Sequence, residues 1–256
     1  ASIVDGCRLS RAAVHVYRHA DVTHLAELLR AGRHFRRRLI ATDSLFSMDG
    51  DLAPLADLAE LARRHDCMLM IDEAHATGVF GRQGRGVAEH LGVEEGVHVR
   101  VGTLSKALGG MGGFVAGRRS LVAWLVNRAR AYVFSTALAP PLAAAAQAAL
   151  GIVRDEPIRR ETLLARSADL RVRLQSQGWN VGTSASQIIP LLVGESARAL
   201  ALSAELACRG FWTPAIRPPS VPEGQARLRI SLSYEHAPEA IEALIATLGD
   251  LPRSGG

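Results

Sequence analysis

The chain has 256 residues, 48% hydrophobic and 21% charged, a composition that can bury a core and is unlike that of a disordered segment. Its 30 basic and 25 acidic residues leave a net charge of +5, yet aromatics are only 5%. The one dense basic cluster, Arg33 to Arg38, reads as a solvated turn before a strand, which argues against a nucleic-acid surface and leaves anionic small molecules as fitting partners.

No run approaches 18 uninterrupted apolar residues, because the Ala-rich stretch after Ala139 is broken by Pro140, Pro141 and Gln147; a membrane-spanning helix is therefore not expected. Cys7, Cys67 and Cys208 are odd in number and form no CxxC pair, which favours a reducing compartment, the cytoplasm. In chain order, Ala1-Ser-Ile-Val-Asp-Gly shows no leader pattern and no helix or strand signal, and reads as the middle of a longer chain. His15, His19 and His24 belong to no motif and are expected to be structural or solvated. Leu39 to Asp43 is a short apolar run, and Pro54 then opens an amphipathic helix with Leu55, Leu58, Leu61 and Ala62 at helical spacing.

Cys67 to Asp72 is a continuous apolar run of strand length, so strand, helix and strand fall within about 35 residues, the signature of a parallel βαβ unit buried on both faces. Val97 to Thr103 and Gly113 to Ala116 read as further strands, followed by helical patterns from Ser120 to Ala131 and from Pro141 into the Arg154 region. From about Glu156 the texture changes. Helices are expected over Ile158 to Gln177, Ser196 to Cys208 (stopped by Gly210) and Pro238 to Leu248, with strands over Ile188 to Val193, Phe211 to Ile216 and Arg227 to Leu232. The reading is an α/β chain: a mostly parallel sheet domain over residues 1–155 and a smaller α+β domain over residues 156–256.

One count narrows the chemistry. Lys106 is the single lysine, and the other 29 basic residues are arginine. Arginine cannot shed its proton in a protein and cannot form an imine; lysine does both. Asp72-Glu-Ala-His75 stands at the carboxyl end of a strand, where open α/β sheets place ligands. The tetrapeptide spells a helicase-type box, but no G-x-x-x-x-G-K-[ST] phosphate loop accompanies it. No further His or Cys stands at ligand spacing around His75, so no metal site is expected. A Ser-x-x-Lys acyl enzyme fails because Thr103 holds the position three before Lys106.

An Asp at one strand end, a His three residues on, and a Lys after the next strand suit pyridoxal 5'-phosphate (PLP). Lys106 would form the imine that holds the cofactor and later serve as base. Asp72 would keep the pyridinium nitrogen protonated, the cation making a buried carboxylate tolerable. His75 would hydrogen-bond the ring oxygen, and Thr103 with Gly109 and Gly110 would let phosphate and ring approach the backbone.

Ser47-Met-Asp-Gly-Asp51, Asp72-Glu-Ala-His-Ala-Thr-Gly78 with Gly84-Arg-Gly86, Thr103-Leu-Ser-Lys106, Phe134-Ser-Thr136, Ala215-Ile-Arg-Pro-Pro-Ser-Val-Pro222 and Ala226-Arg-Leu-Arg-Ile-Ser231 together resemble the α-oxoamine synthases, fold-type-I PLP enzymes. The resemblance covers essentially the whole chain and implies the aspartate-aminotransferase-like PLP transferase fold. It implies Lys106 as the cofactor lysine, Asp72 as the pyridinium partner, and His75, Ser47 and Thr103 as cofactor contacts. Ser135 and Thr136 would reach the phosphate across a homodimer interface. Arg217 would take an amino-acid carboxylate, a bidentate task suited to guanidinium, and Ser220 keeps a substrate-contacting hydroxyl where Thr is usual. The Ala-Ile-Arg-Pro-Pro stretch is closest to the biotin-pathway branch, implying condensation of L-alanine with a pimeloyl thioester of coenzyme A or acyl-carrier protein. Glycine-using sister enzymes, a non-catalytic partner subunit (which would typically lose the lysine) and an inactive truncated fragment are the alternatives. The resemblance also implies a segment ahead of Ala1, with a Gly-containing phosphate loop and a ring-stacking His.

Overall fold

The computed structural model describes residues 2–251. The chain forms two compact units: residues 2–45 with 53–155, and residues 46–52 with 156–251.

In the first unit, α1 (Ser2–Ser10) and α2 (Val22–Ala31) precede β1 (Leu39–Asp43), then follow α3 (Leu55–Arg64), β2 (Met68–Asp72), α4 (Val87–His90), β3 (Val99–Thr103) and β4 (Gly113–Gly117). The helices α5 (Arg119–Arg128), α6 (Arg130–Val133) and α7 (Pro140–Asp155) complete it. The sheet order is β1-β2-β3-β4. β1, β2 and β3 are parallel, and β4 runs antiparallel to β3. The connection between β3 and β4 spans only residues 104–112, too short for the dozen or more residues a parallel crossover needs, so the chain turns straight back. Ile40, Leu69 and Ile71 are buried in the sheet, and α3 buries Leu55, Leu58, Leu61 and Ala62. That stripe is the spacing anticipated, although Pro54 stands at the N-cap position just ahead of the first turn.

Two helices near the start escape the sequence reading. α1 buries no residue. Its nine residues carry only a short apolar pattern, Ile3, Val4 and Cys7, and its other signals are local: Asp5 in the first turn and the Arg8–Asp5 ion pair at 3.7 Å. α2 is capped by Asp21, whose Oδ1 accepts the His24 N–H at 2.8 Å. His24 Nδ1 in turn accepts the Arg18 N–H at 3.0 Å, a structural role. Arg33, Arg36 and Arg37 are exposed in the turn before β1.

The second unit holds α8 (Pro157–Ser176), β5 (Ile188–Gly194), α9 (Ser196–Cys208), β6 (Ala215–Ile216), β7 (Ala226–Ser231) and α10 (Pro238–Asp250). Its antiparallel sheet has the order β5-β7-β6. Leu170, Leu174, Leu202, Leu206, Leu244 and Leu248 face its core, and Trp179 is buried with Nε1 donating to the Leu248 carbonyl at 3.2 Å. β6 is two residues long, not the six anticipated from Phe211 to Ile216: Pro214 has no N–H to donate, and its carbonyl accepts from Arg229 N at 3.1 Å instead. Residues 46–52 belong here through Ala185 N donating to Gly50 O at 3.0 Å and the Arg227–Asp49 ion pair. Gly50 has φ +70°, and a Cβ there would stand 2.0 Å from Ile188 O, so only glycine fits.

Candidate active site

β1, β2 and β3 point the same way, so their carboxyl ends share one edge of the sheet. Two of them end in an acid. Asp43 is the Cα partner of Asp72 in the parallel register, and Asp72 is in turn the partner of Val101 on β3. Paired residues of adjacent strands project to the same face, so the two carboxyl groups are neighbours. Asp72 Oδ1 accepts the Ala74 N–H at 2.8 Å. The Asp43 carboxyl is pushed above the usual carboxylate range, first by burial and then by the charge of Asp72, with Lys106 opposing both. Tyr17, beside them, has its phenol pushed up by burial, an effect opposed by its hydrogen bond to Thr42.

After Asp72 the chain makes a tight turn that carries His75, half-buried. Ala76 N and Thr77 N both donate to Glu73 O, at 2.9 and 2.8 Å, and Thr77 Oγ1 does so at 3.0 Å. Lys106 is exposed in the β3–β4 connection. That loop is held by Thr103, whose hydroxyl donates to Gly112 O at 3.0 Å. A hydroxyl has one proton to give, so in the 2.7 Å contact with Ser105 it is Ser105 Oγ that donates. Gly109 has φ +61° and donates its N–H to Lys106 O at 2.9 Å. The two loops meet: a Cβ on Gly78, three residues after His75, would stand 3.1 Å from Ala107 Cβ, next to Lys106. Asp72, His75, Thr103 and Lys106 are thus carried by two touching loops at one sheet edge.

The other expected residues are placed as follows. Ser135 and Thr136 lie exposed in the segment after α6. Ser47, Arg217 and Ser220 belong to the second unit. Ser47 is half-buried in a turn closed by Gly50 N donating to Phe46 O at 2.8 Å. Arg217 and Ser220 are exposed in the turn after β6, where Ser220 N donates to Arg217 O at 3.0 Å.

Asp43, Tyr17 and Glu73 were not anticipated. Asp43 was within reach, since an apolar strand ending in an acid is the signal that singles out Asp72. Tyr17 and Glu73 leave no such trace.

The donor set suits a cationic ring with a phosphate tail. Two neighbouring carboxyl groups, one of them pushed upward by burial and by the charge of its neighbour, gain from a positive partner. The Lys106 amine acts on the same edge, and the glycines beside it carry no side chain to keep a flat ring or its phosphate at a distance.

Residues 1–248 match the family model described as aminotransferase class I and II. The chain is 54% identical over 259 residues to an 8-amino-7-oxononanoate synthase of Anaeromyxobacter dehalogenans, covering 100% of this chain and 65% of the relative. Among solved structures it resembles serine palmitoyltransferase K265A from S. paucimobilis with a bound PLP–myriocin aldimine, with a TM-score of 0.92, 32% identity, and coverage of 97% of this chain and 63% of that one. It also resembles 8-amino-7-oxononanoate synthase from Francisella tularensis, with a TM-score of 0.83, 26% identity, and coverage of 97% and 71%. The chain thus spans just under two thirds of the length of the curated relative it matches.

Proposed function

Because the chain belongs to the class I and II aminotransferase family, we propose that it serves as a PLP-dependent acyltransferase, an 8-amino-7-oxononanoate synthase of biotin biosynthesis. The reaction condenses L-alanine with a pimeloyl thioester, of coenzyme A or acyl-carrier protein, and releases the free thiol and CO2. The observation that carries this reading is the place of Lys106: the only lysine of the chain lies on a loop that packs against the loop led by Asp72 and His75.

PLP, when bound, supplies the electron sink for charge left on the alanine Cα. Lys106 would hold the cofactor through Nζ, and its free amine would take the Cα proton of alanine. Asp72 would hold a proton on the ring nitrogen, and His75 would hydrogen-bond the ring oxygen. Ser47 and Thr103 line the cofactor. Arg217 grips the alanine carboxylate with its planar fork, and Ser220 offers a hydroxyl to the substrate. Ser135 and Thr136 reach the phosphate in a homodimer, a role that their exposure leaves open. The apolar side chains exposed on β4, α5 and the segment after it, among them Trp124, Tyr132 and Phe134, favour a second subunit. No helix among the described residues is long and apolar enough to cross a membrane, and a cytoplasmic site fits three free cysteines.

The test is an absorbance spectrum of the chain with PLP, repeated after borohydride and followed by peptide mapping, then turnover with alanine, glycine or serine as amino donor. The expected result is reduction of the cofactor onto Lys106, complete loss of that adduct in Lys106→Ala, and turnover fastest with alanine. An adduct that survives Lys106→Ala would sink the assignment of Lys106. Preference for glycine or serine would move the chain to a sister enzyme, because a pocket shaped for one side chain discriminates by its fit.

A further inference from the structure

The loop that carries His75 is closed by one side chain. Glu73 is 2% exposed. Its Oε2 accepts from Ser44 Oγ at 2.5 Å and from Val87 N at 3.0 Å, and its Oε1 accepts from Ala88 N at 3.0 Å. The two backbone donors open α4, so a residue fourteen positions upstream does the work of a cap. Ser44 stands just past β1, and its N–H donates to the Asp72 carbonyl at 2.9 Å, while its single hydroxyl proton goes to Glu73, the shorter of its two contacts. Glu73 N donates to Val101 O on β3 at 2.7 Å. The residue following Asp72 is therefore tied to the end of β1, to β3 and to the start of α4 at once.

The opposite side of the clasp is shaped to admit it. Gly86 has φ +120°, and a Cβ there would stand 2.4 Å from Glu73 Cδ, so the chain forgoes a side chain at the point where the carboxyl enters. A buried carboxyl is costly unless its oxygens are met, and here three donors meet them. None of this is needed to fill a core: an apolar residue would bury more cheaply. What the carboxyl does that an apolar residue could not is hold both ends of residues 73–88 together.

We propose that Glu73 is a positioning residue of the candidate active site, its carboxyl clasping the 73–88 loop shut and thereby holding Asp72 and His75 in place. The clasp stands on the geometry alone; its service to the cofactor rests on the function proposed above.

The test compares the chain with Glu73→Gln, Ser44→Ala and the surface control Glu60→Gln. Arg82 and Arg85 are exposed within the loop, so peptide-resolved trypsin cleavage after them reports opening. Exchange of the Ala74 amide reports the bond to Asp72 Oδ1. Glu73→Gln should speed both about tenfold, the size of a lost hydrogen bond to a charged group, with amides of α3 and β5 unchanged. Ser44→Ala should give a several-fold rise at the same sites, and Glu60→Gln none. In the PLP-loaded chain Glu73→Gln should release the cofactor faster and shift the pH at which its absorbance titrates, a change that mere loosening elsewhere would not cause. Wild-type cleavage and exchange in Glu73→Gln would overturn the clasp. Should Glu73→Gln fail to fold, Ser44→Ala decides by the same two readouts. A loop that opens while cofactor release and absorbance stay as in the wild type would overturn the positioning role. If even the wild-type chain yields no borohydride adduct, the function proposed above has failed, and cleavage and Ala74 exchange still decide the clasp.

Discussion

Asp43 and Asp72 stand side by side because β1 and β2 are in parallel register, and the arrangement works against Asp43. Burial and the neighbouring charge make Asp43 hold its proton more tightly in the folded chain than unfolded. Its contribution to stability is then fully present below the ordinary carboxylate range and is lost as the pH rises through the raised folded value. Asp43→Asn, which keeps the shape of the protonated acid, should raise the urea midpoint at pH 7, with the gain vanishing below about pH 4. A gain of the same size at both pH values would mean that charge is not the cause. At this scale the candidate site was legible where one residue type stood alone. Lys106 declared itself as the only lysine, and Asp72 as the polar end of an apolar run. Glu73 was hidden because its three hydrogen-bond partners come from residues 44, 87 and 88, and no local pattern links them. Arg217 and Ser220 owe their assignment to resemblance, not to anything in the turn that holds them.

Burial alone did not decide which elements were legible: α5, which buries no residue, was anticipated, whereas α2, with Leu25 and Leu29 buried, was not. α3 shows four buried apolar residues at helical spacing, and its core-facing Leu58 is 1% exposed. Leu58→Ala should cost about 2–5 kcal/mol in chemical denaturation, the range for a large-to-small change that leaves a cavity. A loss below about 1 kcal/mol would mean that α3 does not seal the sheet. By contrast α1 buries nothing and β4 is exposed along all five residues. At nine residues, α1 is too short for its apolar pattern to stand out. β4 was found as a strand, but its direction depends on the length of the loop before it, a constraint of connectivity and not of composition. β6 shrank to two residues because a single proline interrupts its donors.

For the molecule as a whole, the decisive local feature is an ion pair inside the second unit. Arg227 is 2% exposed, and its guanidinium meets Asp49, the Met48 carbonyl at 3.4 Å and the Gln225 carbonyl at 3.1 Å. Asp49→Ala would leave that buried cation with carbonyls only. The expected loss is about 2–3 kcal/mol, moderated because the Asp49 side chain is itself 43% exposed. Arg227→Met with Asp49→Ala should recover part of it, as a double-mutant cycle would read; strict additivity would show that the pair is not coupled.

The excursion of residues 46–52 has a consequence for anyone wishing to take the chain apart. The polypeptide passes between the two units three times, at Leu45–Phe46, Leu52–Ala53 and Asp155–Glu156. A single scission after Asp155 therefore yields no autonomous half. The first piece keeps a seven-residue strip whose anchors, Arg227 and the backbone around Ile188 that excludes any side chain at Gly50, have gone with the second. The second piece is left with a buried guanidinium and a vacated seat. Excision of the first half calls for splicing Leu45 to Ala53 through a short linker, while the second half would have to receive its strip as a separate peptide.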